Sequence, residues 1–262
     1  MINKKAWYNR QMNKMTLGLV DSGLGGISVL KAIISNNPNA RVIALADQEN
    51  APYGNKTQAE IIEYTRNNIN WLLKRGASEI LLACNTSSAN ALDYLKDEFK
   101  DTKIQGIIEI TSTQLKNTDY GTILVLATAL TVKSQAYSTR IKEMNPTCEV
   151  KEWPLPKLVD YLEGKEDHQV IVEYLLKELR HFTNKVSAVV LGCTHYPLVK
   201  REIESILKCP IYDSNEAIKN LNFNFPGEGR SVEIYTTGEP LNLEKQIEEL
   251  FALKMSVKKA NL

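Results

Sequence analysis

Cys193 closes the apolar run "AVVLG" at 188–192 and is followed at once by Thr194 and His195. Cys84 closes a second run, "EILLA" at 79–83, and is followed by Asn85 and Thr86. A thiol placed where a buried strand stops and a helix starts meets the backbone N–H groups of the first helical turn, whose partial positive charge favours thiolate. Carboxylates nearby would push the other way and keep one sulfur protonated. Two such sulfurs on opposite sides of one small molecule form an acid–base pair. One takes a proton from a stereocentre while the other returns a proton to the opposite face.

The same residue types admit blander chemistry. A free cysteine is commonly a small buried hydrophobe, and that is the reading for Cys148 and Cys209, which lack polar neighbours that ask for more. For Cys84 and Cys193, the attached Asn85-Thr86 and Thr194-His195 count against it. Zinc held by Cys84, Cys193 and His195 would need one more ligand at a structural site. No C-x-x-C or H-x-x-x-H spacing supplies it, so no metal is expected. Cys193 and His195 at i, i+2 are not the usual route to the thiolate–imidazolium pair of a hydrolase. A disulfide between the two motifs does not suit a reducing compartment.

A third stretch, "VDSGLGGISVLK", carries Gly23, Gly25 and Gly26, but Ser28 stands where G-x-G-x-x-G needs its last glycine. The Lys-Ser/Thr ending of a phosphate-binding loop is absent as well. A glycine-rich turn of this kind can equally cradle a carboxylate through backbone N–H groups. The signal for a dinucleotide is therefore weak.

The elements that must position these residues alternate along the chain. Short β-branched runs lie at 17–21, 41–47, 79–84 and 104–109, and a second set at 122–128, 148–153, 188–193 and 210–214. Segments of helical period separate them. In "AEIIEYTRNNINWLLKRG", Ile61, Ile62, Ile69, Leu72 and Leu73 share one face. Thr57 with Glu60 reads as a capping box and Gly76 as a C-terminal stop. Strands that are apolar almost throughout, separated by helices, predict mostly parallel sheets covered on both faces. The class is α/β.

The two sets also repeat one another. Thr128 follows Asp21 by 107 positions, Pro154 follows Asp47 by 107, and Cys193 follows Cys84 by 109. Strand ends in one order at nearly one offset predict two similar domains, not a solenoid. The C-terminal "SVEIYTTGEPLNLEKQIEELFALKM" reads as a strand, a turn at Gly238 and Pro240, and an amphipathic helix that returns to the first half. The expected division is 1–110 plus 215–262 for one domain and 111–214 for the other.

Composition excludes several classes of function. The net charge of +1 creates no field that would gather nucleic acid or an anionic membrane. No apolar run approaches the roughly 20 residues of a membrane span, and the polar first 15 residues lack the apolar core of an export signal. Four cysteines in 262 residues do not make a secreted disulfide scaffold. A cytoplasmic protein is expected, with the leader frayed or on the surface.

In combination, "DSGLGGISVL", "APYGNKT", "LLACNTSSA", "LATALTVKSQAY", "LGCTHYPLV" and "YTTGEP" resemble the glutamate racemases in order and spacing, from about Leu17 to Glu239. The resemblance implies a cofactor-independent enzyme that interconverts L- and D-glutamate, the D form serving peptidoglycan. It also implies two α/β domains with the active site in the cleft between them, and often a homodimer. By the same resemblance Cys84 and Cys193 are the catalytic acid/bases. Asp21 and Ser22 hold the substrate ammonium side and assist a thiol. Tyr53 and Gly54 lie against the substrate, with Pro52 shaping their turn. Asn85, Thr86, Thr128, Thr131 and Thr194 bind its carboxylates and amine, His195 assists the second thiol, and Glu163 is an auxiliary carboxylate. Aspartate or hydantoin racemases of the same superfamily, or a non-catalytic dicarboxylate-binding relative, are the other readings.

Departures from the family pattern occur at Gln48, Glu49 and Asn50, where Thr-Ala-Arg is common ahead of Pro-Tyr-Gly. They are expected to alter charge at the pocket mouth or the domain contact. Leu155 stands where a cysteine is frequent, and Ile110 where a proline is usual.

Overall fold

The computed structural model describes residues 15–164 and 166–262; the expectation for the leader therefore falls almost wholly outside the described residues. Among the described residues ten strands form two sheets in which every paired neighbour is parallel. The first sheet has the order β10-β9-β2-β1-β3-β4. Its strands are β1 (Leu17–Asp21), β2 (Arg41–Ala46), β3 (Glu79–Leu82), β4 (Lys103–Gly106), β9 (Ser231–Thr236) and β10 (Val257–Lys259). The second has the order β6-β5-β7-β8, from β5 (Thr122–Ala127), β6 (Glu149–Pro154), β7 (Ala188–Gly192) and β8 (Ile211–Asp213). The order β6-β5-β7-β8 is the order β2-β1-β3-β4 with each strand number raised by four, so the sequence repeat is a repeat of topology.

The apolar strands are buried on both faces. Leu17 and Leu19 point into a core that runs between the sheets, Val20 into one beneath the helices Gln58–Lys74 and Asn85–Glu98. On β5, Ile123 and Val125 join the shared core, whereas Leu124 and Leu126 enter a third on the far side. The two-residue period of these strands thus feeds two cores at once, so they show no polar alternation, whereas β6 at the sheet edge, EVKEWP, alternates and is nowhere fully buried. The shared core also includes Tyr137 and parts of the helices Gly26–Asn36 and Ile107–Ser112, and it ties the two halves together behind the strand ends.

Local signals hold where a side chain and its backbone partner are near in sequence. Thr57 and Glu60 form a reciprocal capping box on the helix Gln58–Lys74, and Gly76 takes a φ of 93° after it. Ile61, Ile69 and Leu72 are buried on that helix, while Ile62 and Leu73 are partly buried. One segment differs. The run 104–109 reads as strand, but β4 stops at Gly106 and Ile107–Ser112 is helical. Its only partner among the described residues, β3, ends at Leu82 opposite Gly106. Beyond that point the backbone must satisfy its hydrogen bonds elsewhere, and a helix does so locally. The Ile108 amide donates to Ser88 Oγ at 3.3 Å. The short β10 has no counterpart in the sequence reading. Among the described residues no helix is long and apolar enough to cross a membrane.

Candidate active site

β1 and β3 are neighbours in one sheet, β5 and β7 in the other. In each sheet the connections leave this pair towards opposite edges, the arrangement that opens a crevice at the carboxyl ends. At or just beyond those ends stand Asp21 and Cys84 on one side, Thr128 and Cys193 on the other. The two crevices face each other and merge into one cavity.

Twelve of the fourteen residues singled out in the sequence line this cavity: Ser22, Pro52, Tyr53, Gly54, Cys84, Asn85, Thr86, Thr128, Glu163, Cys193, Thr194 and His195. Asp21 and Thr131 stand behind it. Thr131 Oγ1 bonds to Thr128 Oγ1 at 2.9 Å and to Thr86 Oγ1 at 3.4 Å, so it orients two lining hydroxyls. Thr128 also caps the helix Ala129–Ser134 through the Thr131 amide. Its capping and cavity-lining positions coexist, because one oxygen can accept from the amide and still face the cavity.

Both sulfurs are nearly enclosed, Cys84 at 5% and Cys193 at 6% exposure. Cys84 is the N-cap of the Asn85–Glu98 helix, and its thiol donates to Ser22 Oγ at 3.5 Å. The helix N-terminus favours thiolate there, yet burial pushes the Cys84 thiol up, and the Asp21 carboxylate pushes it further. Desolvation therefore outweighs the helix dipole, and this sulfur keeps its proton in the resting structure.

Cys193 has a different neighbourhood. Its sulfur lies 3.8 Å from His195 Nδ1, and Nε2 of the same ring lies 2.7 Å from Glu163 Oε1. Burial by itself would lower the His195 imidazolium, but its bonds to Cys193 and Glu163 hold it well above the ordinary histidine value. Burial likewise acts to raise Glu163, and the bond to His195 overcomes it, leaving that carboxyl below its usual range. Asp21, completely enclosed, is pushed up to about 6 by burial, with His195 and the Gly23 and Gly26 amides opposing. The sites around the two thiols are thus electrically unlike.

Close approach of the two halves explains one glycine. A Cβ on Gly25 would sit 2.1 Å from Thr194 Oγ1 and 2.8 Å from His195 Nδ1. The backbone at Gly25 has φ −58° and ψ −33°, open to any residue. The demand there is for space, and it comes from the opposite sheet.

Behind Tyr53, whose ring is buried at the cavity wall, Asp47 accepts from the Tyr53 hydroxyl at 2.5 Å and from Thr237 Oγ1 at 2.9 Å. Asn50 Nδ2 spans both Asp47 oxygens at 3.1 Å. Gln48 bonds to Thr236 and Gln246, and Glu49 pairs with Lys259. The structure therefore places Gln48, Glu49 and Asn50 against the C-terminal strands rather than at the pocket mouth, since their side chains leave the loop on the side facing β9 and β10. Leu155 and Ile110 are plain core residues.

The sequence reading passed over Pro156, Val159 and Asp160, which line the cavity beside Glu163. Asp160 and Glu163 are three apart on the helix Leu158–Gly164, so helical spacing from Glu163 was the available signal. Among the described residues no group of three or more His, Cys, Asp or Glu side chains is arranged to hold a metal.

A sequence profile of the Asp/Glu/Hydantoin racemase family matches residues 27–221. A glutamate racemase of Aquifex aeolicus is 38% identical over 239 residues, 89% of this chain and 92% of the relative. Among solved structures, a glutamate racemase of Bacillus anthracis superposes with a TM-score of 0.87 at 26% identity, covering 95% of this chain and 98% of the other. A glutamate racemase of Francisella tularensis in complex with D-glutamate gives 0.85 at 27% identity, with the same coverage.

Proposed function

The chain belongs to the Asp/Glu/Hydantoin racemase family, and from that premise we propose that it interconverts L- and D-glutamate by proton transfer at two opposed thiols. The observation that carries the reading is that Cys84, from the first sheet, and Cys193, from the second, border the same cavity among hydroxyl and amide donors suited to a dicarboxylate. The D-glutamate bound in the structurally similar Francisella tularensis enzyme supports that choice of substrate.

In the proposed reaction the substrate α-carbon lies between the sulfurs. The thiolate of one cysteine takes the α-proton and becomes a thiol. The thiol of the other gives its proton to the opposite face of the carbanion and becomes a thiolate, so protons and charge balance while the stereocentre inverts. The resting structure suggests which sulfur acts first. Cys84 retains its proton and so donates, and Cys193, 3.8 Å from His195 Nδ1, abstracts. For the other enantiomer the roles reverse. His195, backed by Glu163, exchanges the proton of Cys193, and Ser22 and Asp21 serve Cys84 in the same way. Positioned acid and base groups supply about 10²- to 10⁴-fold each. Fixed donors around the developing carbanion, Asn85 among them, supply further stabilisation in a site that excludes water. Such an enzyme would work in the cytoplasm and supply D-glutamate to peptidoglycan.

Incubating the purified protein with L-glutamate alone and following optical rotation tests the reading; decay to zero rotation is expected. α-Hydrogen exchange in D₂O with aspartate but not glutamate would move the substrate to the smaller acid. No exchange with either would leave a binding protein in place of an enzyme.

A further inference from the structure

The motif "LATALTVKSQAY" ends in Tyr137, a residue that stands outside the cavity and has no part in the proton transfers above. It lies in the helix Ala136–Met144, flanking the second sheet, and is completely buried. Its hydroxyl donates to Asn85 Oδ1 at 2.7 Å. Asn85 is the first residue of the helix that Cys84 caps, in the other half of the molecule. The Tyr137 ring also packs against Gly192, the residue before Cys193, where a Cβ would lie 2.8 Å from Cε2. One side chain therefore contacts the immediate neighbour of each cysteine.

The asparagine amide has two ends of opposite polarity, and its orientation is settled only by what each end meets. Tyr137 occupies Oδ1. Nδ2 has no hydrogen-bond partner among the described residues, although Asn85 is 2% exposed and borders the cavity. A buried donor without a partner is costly and points to a ligand that completes it. A flipped amide would instead turn an oxygen towards an anionic substrate. Burial pushes the Tyr137 phenol well above the usual tyrosine range, so it remains a donor at every working pH.

We propose that Tyr137 is a positioning residue that locks the Asn85 amide with Nδ2 facing the substrate carboxylate, and that it does so across the boundary between the two halves. The inference rests on the reading of the cavity as a glutamate site. Tyr137→Phe keeps the ring against Gly192 and removes only the donor.

The test is calorimetric titration of D-glutamate into wild type, Y137F, N85A and the double variant, with melting curves for each. Wild-type binding must be seen first, and its absence would strike the glutamate reading itself. Given that binding, Y137F is expected to weaken Kd about tenfold or more, in keeping with a hydrogen bond to a charged group. In the N85A background the same change is expected to add less than about twofold, because the residue it orients is already gone. KM should rise in parallel with Kd, in both directions of reaction. Unchanged affinity in Y137F, or losses that multiply independently in the double variant, would overturn the proposal. A large fall in melting temperature with native affinity in the folded fraction would also overturn it, and would assign Tyr137 to packing alone.

Discussion

The Thr194 hydroxyl donates to the Asp21 carboxylate at 3.3 Å, joining the residue after Cys193 to the last residue of β1 in the opposite sheet. The bond lies behind the cavity wall, and both partners are buried. It places an acid whose proton affinity is raised at the junction of the two halves, within electrostatic reach of Cys84 and His195.

Asp21 makes both stability and turnover depend on pH, with opposite sign. Its folded value of about 6 lies above the ordinary 3.8. Between those values the folded state holds a proton that the unfolded chain has released. The associated stabilisation is fully present only below the unfolded value of 3.8 and disappears as the pH rises through about 6. A two-unit shift corresponds to about 3 kcal/mol. Urea midpoints of wild type relative to Asp21→Asn should therefore fall between pH 4 and pH 7. If the ionised form is the one that serves the substrate ammonium, kcat/KM should rise over the same interval and lose that limb in D21N. Parallel stability curves for the two proteins would refute the assignment.

Replacing either sulfur should abolish racemisation while sparing recognition. Cys84→Ser and Cys193→Ser are each expected to lower kcat by at least about 10²- to 10⁴-fold, with Kd for glutamate within a few-fold of wild type. Each variant should still eliminate HCl from the one enantiomer of a β-chlorinated glutamate whose α-hydrogen faces the surviving sulfur. That reaction needs a single base, with chloride as the leaving group. Chiral analysis of unreacted substrate separates the two variants, and identical behaviour of both would remove the opposed arrangement.

Glu163→Gln leaves a hydrogen bond to His195 but removes the charge that helps hold the imidazolium. The His195 value should fall, so the proton is lost at a lower pH than in wild type. Activity at pH 8 is expected to drop about tenfold or more, and the alkaline limb of the pH–rate profile should move towards acid. A profile that keeps its alkaline limb would mean that Glu163 only packs against the ring.

Gly25→Ala isolates the steric contact between the halves. The backbone accepts alanine, but the added carbon would meet Thr194 and His195 across the boundary. A stability loss of about 1 to 3 kcal/mol is expected, together with a fall in kcat of about a hundredfold from misplacement of His195. Thermal melting and steady-state rates measure the two separately. Native rates in a folded G25A protein would show that the halves tolerate separation.

Part of this protein is legible in its sequence because the physics is local. Apolar strand runs, the Thr57–Glu60 box and the Gly76 stop are set by neighbours within a few positions, and they recur in the structure. The near-constant offset between Asp21 and Thr128 and between Cys84 and Cys193 likewise marks equivalent strand ends, because equal strand order places equal ends at one edge. Tertiary structure alone decided the rest. Ile107 turned helical because β3 stopped beside Gly106, a fact of a partner more than twenty positions away. Cys84 kept its proton because burial beside Asp21 outweighed a helix terminus visible in the sequence. Tyr137 met Asn85 through packing between halves, over a separation of 52 residues that no local periodicity encodes. Desolvation and contact across a core depend on every element that surrounds a residue, whereas capping and alternation depend only on the chain beside it.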